Sequence, residues 1–211
     1  MFYFAHTPWL LKKLFPYGVW DIPATGKEVY LTFDDGPHPT ITNFVLNQLH
    51  EYNAKATFFC IGKNVNEHPQ VYEQIIQQGH RTGNHTQHHL NGWKTNDADY
   101  VQNISLAQKL IHSNLFRPPY GRIRKKQAAL IREQFPDLKI IFWNVLSADF
   151  DTRIDADTCI KYVLKYTRPG SILVFHDSEK AFPRLEKTLP VVLKELSSRG
   201  FLFKAIPHNL P

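Results

Sequence analysis

Short β-branched and aromatic runs alternate along this chain with stretches whose apolar residues recur at helical spacing, and that alternation most restricts the fold. Residues 29–33, 56–60, 81–84, 139–145, 171–175 and 201–205, with a strand ending at Phe116, read as strands. Between the first two, Ile41, Phe44, Val45 and Leu49 recur at i, i+3, i+4, i+8, predicting a helix from about Thr40. A second helix runs from Pro69 to near Gly79, following a strand closed by Gly62. A third opens at residues 96–99 with carboxylates in its first turn and carries Val101, Ile104, Ala107, Leu110 and Ile111. Others cover about 124–134 and begin at Asp155 or Asp157. The last presents Leu185, Leu189, Val192, Leu193 and Leu196, with Pro190 either starting or kinking it and Gly200 just past its end.

About seven strand–helix units in strict order argue a parallel sheet, because parallel neighbours need a crossover. The 211 residues suit one domain, with 28–207 as its body. A closed or nearly closed barrel would gather every strand C-terminus on one face, where barrel enzymes keep their chemistry.

Residues 1–27 form an arm packed on that barrel. Pro8, Lys12, Lys13 and Pro16 interrupt its apolar start, which is too broken to span a bilayer and lacks the features of a signal peptide. A membrane-touching amphipathic segment is the weaker alternative. With no export signal in view the compartment reads by sequence as cytoplasmic, with export by another route as the alternative. Hydrophobic content of 43% with 21% charged residues excludes a disordered chain, and the net charge of +6 is spread out. That excess suits anionic surfaces, although solubility explains it as well. The cluster at 122–126 is too short to argue nucleic-acid binding. Cys60 and Cys159 both fall in apolar patterns and read as buried thiols rather than a pair. Oligomeric state is not legible.

The informative polar residues follow strands. Asp34 and Asp35 end the first, and neighbouring strand side chains face opposite ways. They address one site only if the chain leaves strand geometry, as Gly36-Pro37 permits. Two crowded carboxylates repel unless they share a cation or a proton. His85 and His89 are four apart, so a helical turn would bring them to one metal, with His88 facing away. Two imidazoles and Asp35 would leave a coordination position open for water or substrate. Arg117 would pair with Asp34, Tyr120 would offer its N–H to an oxyanion, and His176 would serve as a general acid. Each also has a plainer reading, as a surface cation, a packed loop residue and a strand-end histidine. The other histidines, His6, His50, His68, His80, His112 and His208, read as surface or core residues, and His38 as a rim contact.

Taken together, these residues resemble the NodB-like polysaccharide deacetylases, carbohydrate esterase family 4, over about residues 28–203. Thr32-Phe33-Asp34-Asp35-Gly36-Pro37, His85-Thr86-Gln87-His88-His89 and Arg117-Pro118-Pro119-Tyr120-Gly121 match the first three motifs in order. The fourth is looser: Leu146 and Phe150 stand where Asp and Trp are usual, and Asp149 is kept. In the fifth, Val174 replaces Leu before His176. The resemblance implies a distorted (β/α)7 barrel. It implies removal of an N-acetyl, less often O-acetyl, group from a glycan such as a chitin oligomer or peptidoglycan. It implies a divalent metal, usually Zn2+ with Co2+, Ni2+ or Mn2+ as alternatives, on Asp35, His85 and His89. Asp34 would be the base, tuned by Arg117. His176 would be the acid, its pKa raised by Asp149. Tyr120 would help hold the oxyanion, with Phe150 and Val174 walling the acetyl methyl. An O-acetyl esterase, another non-peptide amide hydrolase and a catalytically impaired glycan-binding relative are the alternatives. No nucleic-acid partner and no stable membrane insertion are expected.

Overall fold

In a computed structural model, which describes residues 3–210, the strand β2 (Glu28–Asp34) lies at the middle of the sheet. Six of its seven residues are buried, because parallel strands covered on both faces read as continuous apolar runs. It pairs in parallel with β3 (Thr57–Cys60) on one side and β8 (Ile172–His176) on the other, while β9 (Leu202–Lys204) pairs with its first residues. Register sets the chemistry: Asp34 lies opposite His176, Cys60 opposite Asn84, and Asn84 opposite Phe116. The residues that follow these positions therefore emerge on one rim.

The sheet continues through β4 (Arg81–Asn84) and β5 (Leu115–Phe116) to β6 (Lys139–Ile141) and β1 (Gly18–Val19), and on its other side from β8 to β7 (Val145–Leu146). The single strand expected over 139–145 is thus two. Its first part pairs with β5 and its second with β8, at opposite ends of the sheet path. The link between them closes the distorted (β/α)7 barrel. Asn144 secures that link, donating its N–H to the Ile172 carbonyl (3.3 Å) and accepting the Ile172 N–H on Oδ1 (2.9 Å).

The N-terminal segment is stitched along the same seam. Helix α1 (Trp9–Leu14) leads into β1. Leu146 N–H donates to Ala5 O and Thr7 N–H to Asn144 O, while Trp20 stacks on Phe142 with centroids 4.2 Å apart. The first two residues of the expected arm lie outside the described residues.

Helices α2 (Ile41–Glu51), α3 (Gly62–Glu67), α4 (Pro69–Gln77), α5 (Asp97–Gln108), α6 (Lys125–Gln134), α7 (Ala156–Tyr166) and α8 (Phe182–Ser198) cover the sheet. Asn96 and Asp155 cap α5 and α7, each side chain accepting an N–H three residues on. Gly62 opens α3 instead of ending a strand, Leu110 and Ile111 lie past α5, and Pro190 falls inside α8 rather than at its start. The main core joins Val45, Leu46 and Leu49 to Leu189, Val192 and Leu196 across Val29, Leu31, Phe33 and Phe175. Cys60 and Cys159 are buried and unpaired. Among the described residues no helix is long and apolar enough to cross a membrane.

Candidate active site

Asp34 ends β2 in strand conformation, and Asp35 departs from it with φ 84°. That turn is held from three sides. Asn64 Nδ2 donates to Asp35 O (2.7 Å), Ile61 N–H to Gly36 O (2.9 Å), and Gly36 N–H to Asp177 Oδ1 (3.0 Å). A Cβ on Gly36 would lie 2.1 Å from the Asp177 carboxylate, so only glycine admits this contact.

His85 and His89 meet as the spacing suggested, but not on a helical turn. They sit on an irregular loop after β4 in which Thr86 (φ 65°) and His89 (φ 53°) are left-handed. Asn103 on α5 holds this loop, its Oδ1 accepting the N–H groups of Gln87 and His88. His88 is exposed and bonded to Asn103, away from the pair. Asp35 Oδ1 lies 3.2 Å from His89 Nε2 and 3.8 Å from His85 Nε2. All three ligand atoms fall within 4.8 Å of one another. Asp35 Oδ1 is buried with no hydrogen-bond partner, an orphan that a cation would satisfy. His85 Nδ1 is 2.8 Å from Arg117 O, which leaves Nε2 as the lone-pair donor, as metal-ligating histidines require. Burial lowers the His85 pKa to about 4, so the imidazole is neutral. Burial opposes charge on Asp35, yet the His89 contact and the imidazoles of His176, His89 and His85 hold its carboxyl below the usual range. A carboxylate with two imidazoles suits a borderline divalent ion such as zinc.

On one side of this triad, Arg117 Nη1 donates to Asp34 Oδ1 (2.7 Å) and to Thr32 Oγ1 (2.7 Å). The guanidinium is fully buried. Its remaining contacts reach Phe142 O and Ile141 O, with Phe59 4.0 Å and Trp143 5.7 Å from it. With four of its five N–H donors engaged and aromatic rings beside it, it is held against Asp34.

On another side, His176 Nδ1 is 2.7 Å from Asp149 Oδ1, and His176 N–H donates to Asp149 Oδ2 (2.9 Å). Burial works against the imidazolium, but the Asp149 carboxylate outweighs it and raises the pKa to about 9. Phe150 meets the His176 ring edge-on at 5.1 Å. Val174 shares that face of β8 but is buried one layer below His176. Tyr120, with φ 61°, is about half exposed, and its ring lies 4.6 Å from His89.

Two further contributors were given no role from the sequence. Asp177 is buried, ties Gly36 and accepts Thr42 Oγ1, while its own N–H donates to Asp34 O. Burial raises its pKa to about 8. Its place after His176 at a strand end was the one available clue. Asn103 reads as an ordinary mid-helix polar residue, and only packing brings it to the histidine loop.

Residues 21–134 match the polysaccharide deacetylase family. A peptidoglycan-N-acetylglucosamine deacetylase of Bacillus cereus is 31% identical over 208 residues, spanning 95% of this chain and 97% of that one. A chitooligosaccharide deacetylase of Azorhizobium caulinodans is 33% identical over 88% of this chain and 96% of its own length. The crystal structure of the Bc1960 peptidoglycan N-acetylglucosamine deacetylase superposes with a TM-score of 0.82 at 30% identity, covering 95% of each chain. With the motif residues converging on one rim of a (β/α)7 barrel, this chain belongs to the polysaccharide deacetylase family, NodB-like carbohydrate esterase family 4.

Proposed function

We propose that the protein is a metal-dependent hydrolase that removes N-acetyl groups from an amino-sugar glycan of the peptidoglycan or chitin-oligomer type. The observation that carries the reading is the pair of 2.7 Å contacts, Arg117–Asp34 and Asp149–His176, flanking the Asp35–His85–His89 cluster. One pair provides a carboxylate beside a fixed cation, and the other an imidazolium beside a fixed anion. Environments that separate a base from an acid in this way let both work at one pH.

A divalent ion held by Asp35, His85 and His89 would supply Lewis acidity and a more acidic water. Asp34 takes the proton of the attacking water as its oxygen bonds to the acetyl carbonyl carbon. The Tyr120 N–H faces the oxyanion of the tetrahedral intermediate. His176, with Nδ1 engaged by Asp149, gives its Nε2 proton to the departing nitrogen as the C–N bond breaks. Acetate and a free amine result. Phe150 and Val174 form the apolar side of the acetyl pocket.

The test strips the protein with chelator, restores Zn2+, Co2+, Ni2+ or Mn2+ and measures acetate released from N-acetylglucosamine oligomers. Release that needs metal and falls by about 10²–10⁴-fold in Asp34→Asn supports the reading. An Asp34→Asn variant of full activity would exclude Asp34 as the base. Release only from O-acetylated sugars would move the substrate class to esters.

A further inference from the structure

Four residues past His89 the chain displays Trp93, whose side chain has no part in the chemistry above. The residue is 56% exposed. An indole left that open loses much of the benefit of burial, yet this one is tethered at several points. Its Nε1–H donates to Ile123 O (3.3 Å), and its backbone N–H donates to Asn91 Oδ1 (3.0 Å). The Arg122 guanidinium lies 4.9 Å from the ring centroid. Just behind it, Gln127 Nε2 donates to Gly92 O (2.8 Å), and a Cβ on Gly92 would lie 2.4 Å from Arg122 O. The loop carrying His89 is therefore docked on the loop carrying Tyr120, and Trp93 sits on the join. At ~3.8 Å per Cα step, Trp93 lies within about 15 Å of His89.

We infer that Trp93, with Arg122 behind it, is a sugar-stacking platform that binds a unit of the glycan chain beyond the one being deacetylated. A rigid aromatic face matches the apolar C–H face of a pyranose ring and costs little entropy to present. Arg122, 4.9 Å from the ring centroid, adds N–H donors for the sugar's hydroxyls. A short run of linked sugars covers the distance from the triad. The platform makes the enzyme favour longer chains. This inference rests on the glycan deacetylase reading, and its test separates the two.

Calorimetric titration of the full chain and of Trp93→Ala with the hexamer and the dimer of N-acetylglucosamine reads the platform directly. The wild type is expected to bind the hexamer more tightly than the dimer. Trp93→Ala is expected to bind the hexamer about tenfold more weakly, a loss of about 1.4 kcal/mol. Trp93→Phe, which keeps a ring, retains most of the preference and controls for folding, alongside an unchanged melting temperature. Equal affinity of the wild type for both lengths, binding of neither, or a full hexamer preference in Trp93→Ala would each overturn the proposal. Acetate release measured in parallel separates the readings. A Trp93-dependent hexamer preference without any release leaves the platform standing and removes the deacetylase. Release with the preference intact in Trp93→Ala does the reverse.

Discussion

At the end of the barrel where helices lead into strands, the left-handed residues are Asn53, Gly79, Gly170 and Gly200. At the opposite end, where strands lead into helices, they are Asp35, Thr86, His89, Tyr120, Gly121 and Ala148. Three of the first set, Asn53, Gly79 and Gly200, have an ordinary cause. A helix commonly ends on a left-handed residue whose N–H caps its last carbonyls, and glycine or asparagine adopts that geometry at least cost. Gly79 N–H donates to Ile76 O, Gly200 N–H to Ser197 O and Asn53 N–H to His50 O. The second set mostly bears a Cβ, and each such residue costs on the order of 1–3 kcal/mol in conformation. Two of them, Asp35 and His89, belong to the candidate metal cluster, and Tyr120 packs on His89. The backbone is thus relaxed where it only turns and strained where it aims a side chain.

Four measurements would break or sharpen that contrast, from the largest expected effect to the smallest. Arg117→Ala leaves Asp34 buried without its cation and should destabilise the protein by about 3–5 kcal/mol in urea unfolding. A loss under 1 kcal/mol would mean that water replaces the guanidinium and that the rim is not held as argued.

The next concerns pH. His176 titrates near 9 in the fold, above its unfolded value, so it contributes stability in full below about 6.5. That contribution falls away as pH rises through 9, on the order of 3 kcal/mol for the metal-free protein. Asp177, raised to about 8, acts with the same sign between about 4 and 8. Unfolding free energy should therefore fall from pH 6 to 10, and in Asp149→Asn the part due to His176 should vanish. A flat profile would show that the pair is not coupled as its 2.7 Å contact implies.

Zinc binding supplies the third. Free zinc at a hundred times its dissociation constant should add about 2.7 kcal/mol to the unfolding free energy. In Asp35→Ala that gain should disappear, and its persistence would place the ion elsewhere.

The smallest effect compares the two ends directly. A Cβ on Gly200 meets nothing nearer than Lys27 Cδ at 3.9 Å, so Gly200→Ala tests backbone conformation alone. It should cost about 1–2 kcal/mol and leave zinc affinity as it was. Thr86→Gly relieves strain but loses the hydroxyl that accepts Leu90 N–H (3.2 Å). Its stability should stay within about 1 kcal/mol of the wild type, while zinc affinity drops because His89 is no longer held. Equal zinc affinity in both variants would end the argument that strain aims the ligands.

Much of this was legible in the residues alone. Strand patterns at 29–33, 81–84 and 171–175 fall within one residue of β2, β4 and β8, because buried parallel strands leave continuous apolar runs. The convergence of Asp34, Asp35, His85, His89, Arg117, Asp149 and His176 followed from their places after strands, since a parallel barrel sends all those ends to one rim. Other features were hidden. Residues 139–145 are apolar throughout, and nothing in them marks where one partner strand is exchanged for another. The four-residue spacing of His85 and His89 fits a helical turn as well as the left-handed loop that forms. Asp177 and Asn103 act only through contacts with distant segments. Local chemistry, meaning which residues form strands, where each strand ends and which side chains bear charge or a lone pair, was determined by the sequence alone. Closure of the sheet at Asn144, the left-handed turns that aim Asp35 and His89, and the Asp149 contact that raises the His176 pKa were decided by tertiary structure. They depend on which remote backbone comes to lie against a residue, and a pattern along the chain carries no record of that.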